Sequence, residues 1–432
     1  MKSLWLNHLR IRKIYYIAKL KRLQWLDTEK IKQNQEKRLR KIINHAYNNV
    51  QFYHDLFNSE KIKPSDIKTV KDLKRIPIIT KKDVRDNYPE TIVARNTNLD
   101  DCFIANTSGS TGIPLKICFS YKDRDYLHSL TSHIYLESGV RWFDKIVAIQ
   151  FIPHDIKKNW LNKFGKIFRH TISVLDPIED IFNELCKIKP DVIYTYPSIL
   201  SLIAIEKNKN KKLSVSPKKI FTTGEALTDS SRKKLIDIFD SDIMRNYVSV
   251  EFGPLAFECK EHTGYHILTD NVVMEFIKDG NDVGYGENGE VIVTGLNNYN
   301  MPLIRYRLGD IAILSKDKCS CGRGLPLVKY FVGREDDFLI LPSGRKISPR
   351  MINHIEHLNG IASYKIIQKE PEHIVVKVVK SEDFNGNTTR EVIEIIKSGC
   401  AGEKVSVEVE LVNQIPKGIT GKRRTVVSEV NS

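Results

Sequence analysis

The chain has 432 residues, of which 41% are apolar and 28% charged, and it carries a formal net charge of +15. That length allows two domains, and the apolar content supplies sizeable cores and excludes wholesale disorder. No apolar run reaches the ~18 residues a membrane-spanning helix needs, and seven cysteines without a secretory leader point to a reducing, cytoplasmic compartment with thiols or metal ligands in place of disulfides.

The charge is uneven along the chain. Residues 1–41 hold 13 Lys and Arg against Asp27, Glu29 and Glu36, a balance of +10, while the remainder is only mildly basic. This marks residues 1–60 as a basic helical N-terminal element on an ordinary globular body and argues against a nucleic-acid enzyme. A solvated helix face accounts for such an element. The alternative is a peripheral contact with anionic lipid or with a carrier protein, since Trp5, Leu6, Ile14, Tyr15, Tyr16, Ile17 and Leu20 add apolar and aromatic groups.

Taken in order, residues 29–57 read as one long helix. Ile31, Leu39, Ile42, Ile43, Ala46, Tyr47, Val50 and Tyr53 recur at helical spacing. A connector with Pro64, Pro77 and Pro89 follows, and Thr80 is placed as an N-cap. Next comes Asn106-Thr107-Ser108-Gly109-Ser110-Thr111-Gly112-Ile113-Pro114-Leu115. Its glycines can turn backbone N–H groups toward one point, and its hydroxyls add donors, so it can cradle a polyphosphate. No Gly-Lys-Ser/Thr step follows, so it is not a Walker loop. Alone, it could equally be a surface turn.

A helix at 122–138, a strand at 146–149, a helix at 177–188 ending before Pro190, a strand at 192–196, a helix from Ser198, a strand at 219–223 and a helix at 228–239 follow. This alternation predicts a parallel α/β sheet whose ligands sit at the carboxyl ends of its strands. From about residue 264 the period shortens to strands at 265–268, 272–277 and 290–294, a β-rich subdomain. Beyond a boundary near Arg334–Asp337, strands at 363–368, 373–380 and 404–411 and a helix at 388–397 form a small α+β domain. The expected fold is therefore α/β. It has a large domain over 61–335, with a parallel sheet and a β-rich subdomain, and a small mobile α+β C-terminal domain over 336–432.

Four features stand downstream of the Gly/Ser/Thr loop. Asn246-Tyr247-Val248-Ser249-Val250-Glu251-Phe252-Gly253 sets a carboxylate after a strand, and Arg305-Tyr306-Arg307-Leu308-Gly309-Asp310 sets a second. Gly333-Arg334-Glu335-Asp336-Asp337 lies at the boundary, and Pro416-Lys417-Gly418-Ile419-Thr420-Gly421-Lys422-Arg423 puts a lysine on a Gly-flanked loop. In this order the set resembles the adenylate-forming superfamily of acyl-CoA synthetases and adenylation domains. It is most similar to the phenylacetate–CoA ligase branch, which includes capsule-biosynthesis adenylating proteins. The closer likeness rests on Glu251-Phe252-Gly253 with Glu258-Cys259, on Gly264-Tyr265-His266, and on Cys319-Ser320-Cys321-Gly322-Arg323. It covers residues 30–430.

The resemblance implies attack of a carboxylate on the α-phosphate of ATP, giving an acyl-adenylate and pyrophosphate, then transfer to coenzyme A. It places Thr107, Ser108, Gly109, Ser110, Thr111 and Gly112 on the β- and γ-phosphates, Glu251 on Mg²⁺ and Asp310 on the ribose hydroxyls. Arg334 would pair with ribose or phosphate. Thr223, Gly224, Glu225 and Tyr247 would lie beside the adenine. Asp336 is the implied hinge, and Lys422 the catalytic lysine at the α-phosphate. The pocket for the acid is expected from Tyr126, His133, Tyr135, Phe151, His154, Tyr194, Tyr196, Thr223 to Ala226, and Gly253. The chain departs from the pattern at Val248 and Val250, where most relatives carry Gly and a Thr or Ser, so a phosphate-contacting hydroxyl is missing before Glu251.

Cys259, His266, Cys319 and Cys321 give three thiols and one imidazole, a ligand set that tetrahedral zinc accepts. Closed four-ligand coordination would make such a zinc structural, and His262 is a competing ligand. Two further readings stay open from the sequence. One keeps adenylation but passes the acyl group to an amine, a hydroxyl or a carrier-protein thiol. The other is a non-catalytic nucleotide-binding or membrane-associated scaffold, for which Val248 and Val250 speak.

Overall fold

The structure is a computed structural model that describes residues 2–107, 115–150, 169–210, 215–334, 338–347, 355, 358–381, 383–400, 402–416 and 425–430. The helices are α1 (Lys2–Leu23), α2 (Thr28–Asn49), α3 (Gln51–Ser59), α4 (Lys81–Asp86), α5 (Tyr121–Glu137), α6 (Ile178–Ile188), α7 (Pro197–Lys209), α8 (Asp229–Phe239) and α9 (Gly386–Gly399). The strands through the middle of the chain are β1 (Cys102–Asn106), β2 (Lys116–Ser120), β3 (Ile146–Gln150), β4 (Arg169–Ser173), β5 (Val192–Thr195), β6 (Lys219–Thr222), β7 (Asp242–Ser249), β8 (Gly253–Glu258) and β9 (Tyr265–Ile267). Those that follow are β10 (Val272–Lys278), β11 (Asn281–Asp282), β12 (Asn288–Gly295), β13 (Tyr306–Leu314), β14 (Leu327–Arg334), β15 (Leu339–Ile340), β16 (Lys346–Ile347), β17 (Ile361–Glu370), β18 (His373–Lys380), β19 (Ser406–Leu411) and β20 (Val426–Ser428). Among the described residues no helix is long and apolar enough to cross a membrane.

The chain forms two compact units, one from Met1–Trp142, Met244–Leu308 and Ala312–Tyr330, the other from Phe143–Ile243, Gly309–Ile311 and Phe331–Ser432.

In the first unit α2 buries Ile31, Leu39, Ile42, Ile43 and Ala46 along one face, as their spacing predicts. The single helix expected over 29–57 is instead two. Val50 takes an extended conformation between α2 and α3. The broken hydrogen bonds are made up by a distant segment: Arg95 N–H donates to the Asn49 carbonyl at 2.9 Å, and Phe52 N–H donates to the Thr91 carbonyl at 2.9 Å. The same unit carries the strand series β11-β10-β12-β13-β14-β9-β8-β7, apart from residues 309–311 of β13, 331–334 of β14 and 242–243 of β7. β8 and β9 pair antiparallel, with Phe257 opposite His266, and β9 pairs antiparallel with β14, with Leu327 opposite His266. Arg305 holds the connector to this sheet. Its guanidinium pairs with Glu275 at 3.0 Å and donates to the Ile76 carbonyl, while its own carbonyl accepts Ile79 N–H at 3.0 Å.

In the second unit β3-β5-β6 are parallel, as the strand–helix alternation predicts, and β4, which that alternation did not include, adds a fourth parallel strand beside β3. Val147, Ile149, Phe182, Ile193, Ile220 and Phe239 belong to its core. α6 stops in a left-handed residue, Lys189, directly before Pro190, which cannot continue a helix. The C-terminal segment forms a mixed sheet of order β19-β18-β17-β20, whose core includes Ile366, Ile374, Val376, Val392 and Ile396.

Candidate active site

β1 and β2 form an antiparallel hairpin whose connecting loop is the Gly/Ser/Thr segment. Thr107 and Leu115 close its neck. Thr107 N–H donates to the Leu115 carbonyl at 2.9 Å, and Leu115 N–H donates to Thr107 Oγ1 at 2.9 Å. Thr107 is buried, and its hydroxyl keeps its proton for a further acceptor. The hairpin is tied down at Cys118, whose carbonyl accepts from Asn298 Nδ2 at 2.9 Å and whose N–H points to Met301 Sδ at 3.4 Å.

Glu251 sits in the turn from β7 to β8, half-buried. Tyr306 is buried at the start of β13, and its hydroxyl donates to Glu251 Oε1 at 3.3 Å. No other hydrogen-bond donor reaches the carboxylate among the described residues, which leaves oxygen lone pairs for a cation. The turn is built tightly. Ser249 Oγ accepts Phe252 N–H at 3.2 Å, which closes the turn, and Val250 points out, 41% exposed. Gly253 has a left-handed φ of +66°, and a Cβ there would stand 2.9 Å from Leu127 Cδ2 of α5. Glycine alone fits both the backbone and that close approach.

Glu251 and Phe252 line a cleft holding about 340 Å³ of space, part of it open to solvent, together with Asp123, Asn271, Asn297 and Met301. Asn271 is buried. Its Nδ2 donates to the Phe252 carbonyl at 2.9 Å and the Pro254 carbonyl at 2.8 Å, either side of Gly253. Asn297 donates to Asn271 Oδ1 at 3.2 Å and accepts from Arg38 at 2.7 Å, and Arg38 pairs with Asp270 at 2.9 Å. A polar chain therefore runs from α2 to the turn that carries Glu251.

In the second unit Thr223, Gly224 and Glu225 follow β6, at the carboxyl end of the parallel sheet. Thr223 and Thr195 are buried, and neither hydroxyl has a hydrogen-bond partner among the described residues. An unmatched buried hydroxyl costs roughly 1–3 kcal/mol, so this pair suits a polar ligand group. Glu225 is engaged differently: its two oxygens accept Ser198 N–H and Ser198 Oγ–H, each at 2.9 Å, at the N-terminus of α7. Tyr196 is buried just ahead of α7, and Ala226 is exposed. Asp310 is half-buried on β13, Tyr247 half-buried on β7. Tyr135 is buried on α5. Tyr126 is also buried there, and its hydroxyl donates to Asp270 Oδ2 at 2.7 Å. Ser108, Gly109, Ser110, Thr111, Gly112, Phe151, His154, Asp336 and Lys422 lie outside the described residues, as does the side chain of Arg334.

The donor atoms of Cys259, His266, Cys319 and Cys321 all lie within 4.8 Å of one another. Cys259 Sγ is 3.5 Å from Cys319 Sγ, and Cys321 Sγ is 3.4 Å from His266 Nε2. A disulfide would need about 2.05 Å, whereas a zinc tetrahedron with Zn–S bonds of about 2.3 Å has edges of about 3.8 Å, so the spacing fits a metal. Burial and the Arg323 guanidinium push the His266 imidazole down to about 4, which keeps it neutral and able to ligate. Burial pushes the Cys259 thiol up to about 12. Burial also acts upward on Cys319, but the Thr263 hydroxyl and the neighbouring thiols outweigh it and lower that thiol. His262 is not among the four clustered residues, and its Nδ1 lies 3.2 Å from Glu258.

Three comparisons bear on this geometry. A family model, the CapK C-terminal domain, matches residues 339–429. The phenylacetate–coenzyme A ligase of Thermus thermophilus is 26% identical over 391 residues, 86% of each chain, and protein CapK of Staphylococcus aureus is 24% identical over 96% of this chain and 93% of that one. The chain is a homologue of phenylacetate–coenzyme A ligases and of CapK. Its fold is that of the adenylate-forming acyl-CoA ligases. The structure of 2-hydroxyisobutyryl-CoA ligase with its acyl-adenylate superposes with a TM-score of 0.81 at 19% identity, covering 94% of this chain and 91% of that one. For such a homologue, sequence reasoning had assigned no role to Asn271, Asn297, Thr195 or Tyr306. Tyr306 alone stood inside a motif, between Arg305 and Arg307. The others have no spacing signal, because they act through contacts remote in sequence.

Proposed function

We propose that the chain activates a carboxylic acid with ATP and passes the acyl group to the thiol of coenzyme A. The observation that carries this reading is Glu251, a half-buried carboxylate steadied by Tyr306, at the edge of the cleft in the unit that also holds the hairpin neck at Thr107.

In the first step an oxygen of the substrate carboxylate bonds to the α-phosphorus, the bond to the bridging oxygen breaks, and pyrophosphate leaves with that electron pair. In the second, the thiol bonds to the acyl carbon, AMP leaves, and the thiol proton is released. Bringing one anion to another requires fixed positive charge and dipoles in a dry site. Thr107, Ser108, Gly109, Ser110, Thr111 and Gly112 hold the β- and γ-phosphates, and Lys422 offsets charge at the α-phosphate. Asp310 accepts from the ribose hydroxyls, and Arg334 pairs nearby. Thr223, Gly224 and Glu225 of the second unit, and Tyr247 of the first, take the adenine-side roles that the resemblance implies, and Glu225 also holds Ser198. Tyr135 and Gly253 of the first unit, and Phe151, His154, Tyr196 and Ala226 of the second, take the acid-binding roles that the resemblance implies, and Asp336 that of the hinge.

A magnesium ion held by Glu251 would supply Lewis-acid neutralisation of phosphate oxygens. Cys259, His266, Cys319 and Cys321 would hold a structural zinc. The basic element over 1–60 supplies a contact to a membrane surface or a carrier partner, in a protein of the cytoplasm.

The test is acid-dependent exchange of labelled pyrophosphate into ATP across a panel of carboxylic acids. Exchange with at least one acid is expected, and none in protein that binds ATP overturns the reading. Lys422→Ala should slow exchange far more than thioester formation from a supplied acyl-adenylate. If the second step gains with an amine and not with coenzyme A, the acceptor assignment falls while adenylation stands. Protein purified without added zinc should hold about one equivalent; less than about a tenth removes the zinc assignment.

A further inference from the structure

α1 contains seven Lys and Arg and no acidic residue. One flank is docked in its own unit. Arg12 pairs with the buried Asp125 of α5 at 3.2 Å, and Tyr16 meets Tyr126 edge-on at 5.2 Å. At the far end Gln24 accepts from Arg323 Nε at 2.7 Å, and the Gln24 carbonyl accepts Gly324 N–H at 3.1 Å. These contacts fix the rotation of the helix about its axis.

The opposite flank is exposed, apart from Trp25 at its end, over which Arg323 stacks at 4.6 Å. Ile11 is 65% exposed, Ile14 66%, Tyr15 62%, and Trp25, just past the helix end, 48%. Ala18 and Arg22 are exposed between them. Positions 11, 14, 15, 18 and 22 fall at helical steps of three and four, so they make one stripe about 17 Å long, with Trp25 just beyond its end. Scattered single apolar residues on a surface are ordinary; a continuous row with one aromatic in it and a second just beyond its end is not. Lys21 and Arg22 border the row, exposed and with no ion-pair partner among the described residues.

We propose that this stripe seats the protein on a membrane surface rich in anionic lipid, with α1 lying in the interfacial plane. The occupant follows from charge complementarity. The isoleucines enter the acyl boundary, Tyr15 and Trp25 sit at headgroup level, and Lys21 and Arg22 meet lipid phosphates. No acidic residue of α1 opposes the approach, and residues 1–41 carry a balance of +10. An acidic carrier protein would use the cations but leave a row of exposed isoleucines without a role. This proposal deepens the contact assigned to the basic element and does not depend on the adenylation chemistry.

The test is co-sedimentation of the full chain with phosphatidylcholine vesicles, with and without phosphatidylglycerol, at low salt and at about 0.5 M salt. The protein should sediment with the anionic vesicles, far less with neutral ones, and should come off in high salt. Ile14→Asp should lower partitioning about tenfold or more. A Lys21→Glu/Arg22→Glu variant should bind weakly and lose the salt dependence. Both variants should keep wild-type helical content and pyrophosphate exchange, because the changed side chains are exposed. Equal sedimentation of wild type and Ile14→Asp, or no preference for anionic vesicles, overturns the proposal. So does tight capture of an acidic acyl-carrier protein without vesicles that Ile14→Asp abolishes. Loss of exchange with lipid binding intact would instead count against the catalytic reading.

Discussion

Replacing Asn271 by Ala removes one side-chain amide that satisfies two backbone carbonyls, those of Phe252 at 2.9 Å and Pro254 at 2.8 Å. Asn271 is 3% exposed, so water does not readily take its place. A buried carbonyl left unmet costs roughly 1–3 kcal/mol, and with some relaxation the pair comes to about 2–4 kcal/mol. The two carbonyls flank Gly253, two residues past Glu251, so the loss falls on the turn that aims the Glu251 carboxylate. Denaturant unfolding followed by fluorescence reads the stability term. Initial rates of pyrophosphate exchange against Mg²⁺ concentration read the functional one, with an expected rise of about tenfold in the Mg²⁺ requirement and a smaller change in the KM for the acid. Asn271→Asp separates hydrogen bonding from volume: it keeps the shape, loses both donors and sets an anion against two carbonyl oxygens, so it should be at least as damaging as Ala. Asn271→Ala with a stability loss under about 0.5 kcal/mol and an unchanged Mg²⁺ dependence would refute the reasoning.

Tyr306→Phe deletes the hydroxyl 3.3 Å from Glu251 Oε1. About 1 kcal/mol of orientation should go, seen as a rise of about fivefold in the Mg²⁺ requirement at unchanged stability. His133 is 2% exposed, and burial holds its imidazole down to about 4 against an ordinary value of 6.5. The unfolded state therefore binds the proton first, so stability falls as pH drops from 6.5 toward 4, by at most about 3 kcal/mol from this group. His133→Leu should flatten that part of a stability–pH curve measured by denaturant titration, and a curve of unchanged slope would contradict the assignment. At Gly324 a Cβ would stand 2.0 Å from the Leu26 carbonyl oxygen. Gly324→Ala must displace the α1–α2 corner, at a cost of about 1–3 kcal/mol or more, and should open a protease site between Leu23 and Thr28 that peptide mapping detects.

β3, β5 and β6 were legible because each is a short apolar run closed by Pro, Gly or a helix, and that pattern survives without tertiary context; β4 was not, because Arg169–Ser173 holds a single apolar residue, Ile172. The break at Val50 was not, because its cause lies elsewhere: Thr91 and Arg95 supply the hydrogen bonds that make an interruption tolerable. The thiol cluster could be found since Cys319-Ser320-Cys321-Gly322 already has the shape of half a metal site. Glu225 shows the opposite case. Both its oxygens accept from Ser198, a bond no spacing rule foretells. Asn271 and Asn297 are similar, being asparagines without a period whose roles depend on strands brought together by folding.

The thiol cluster and the N-terminal helices belong to one mechanical arrangement in the first unit. Cys259 follows β8, His266 lies in β9, and Cys321 precedes β14, so the ligands span three adjacent antiparallel strands. The next residues after Cys321 grip the α1–α2 corner: Arg323 stacks over Trp25 at 4.6 Å and pairs with Glu137 at 2.8 Å, and the Gly324 carbonyl accepts from Thr28 Oγ1 at 3.3 Å. In the other direction β8 begins at Gly253, directly after the Glu251–Phe252 step, and its start is held by Asn271. Asn271 leads back through Asn297 and Arg38 to α2. The turn bearing Glu251 is thus braced from both sides, by the strands that carry the cysteines and by a helix of the basic element. A basic N-terminal element that served only as a solvated tether would need neither connection.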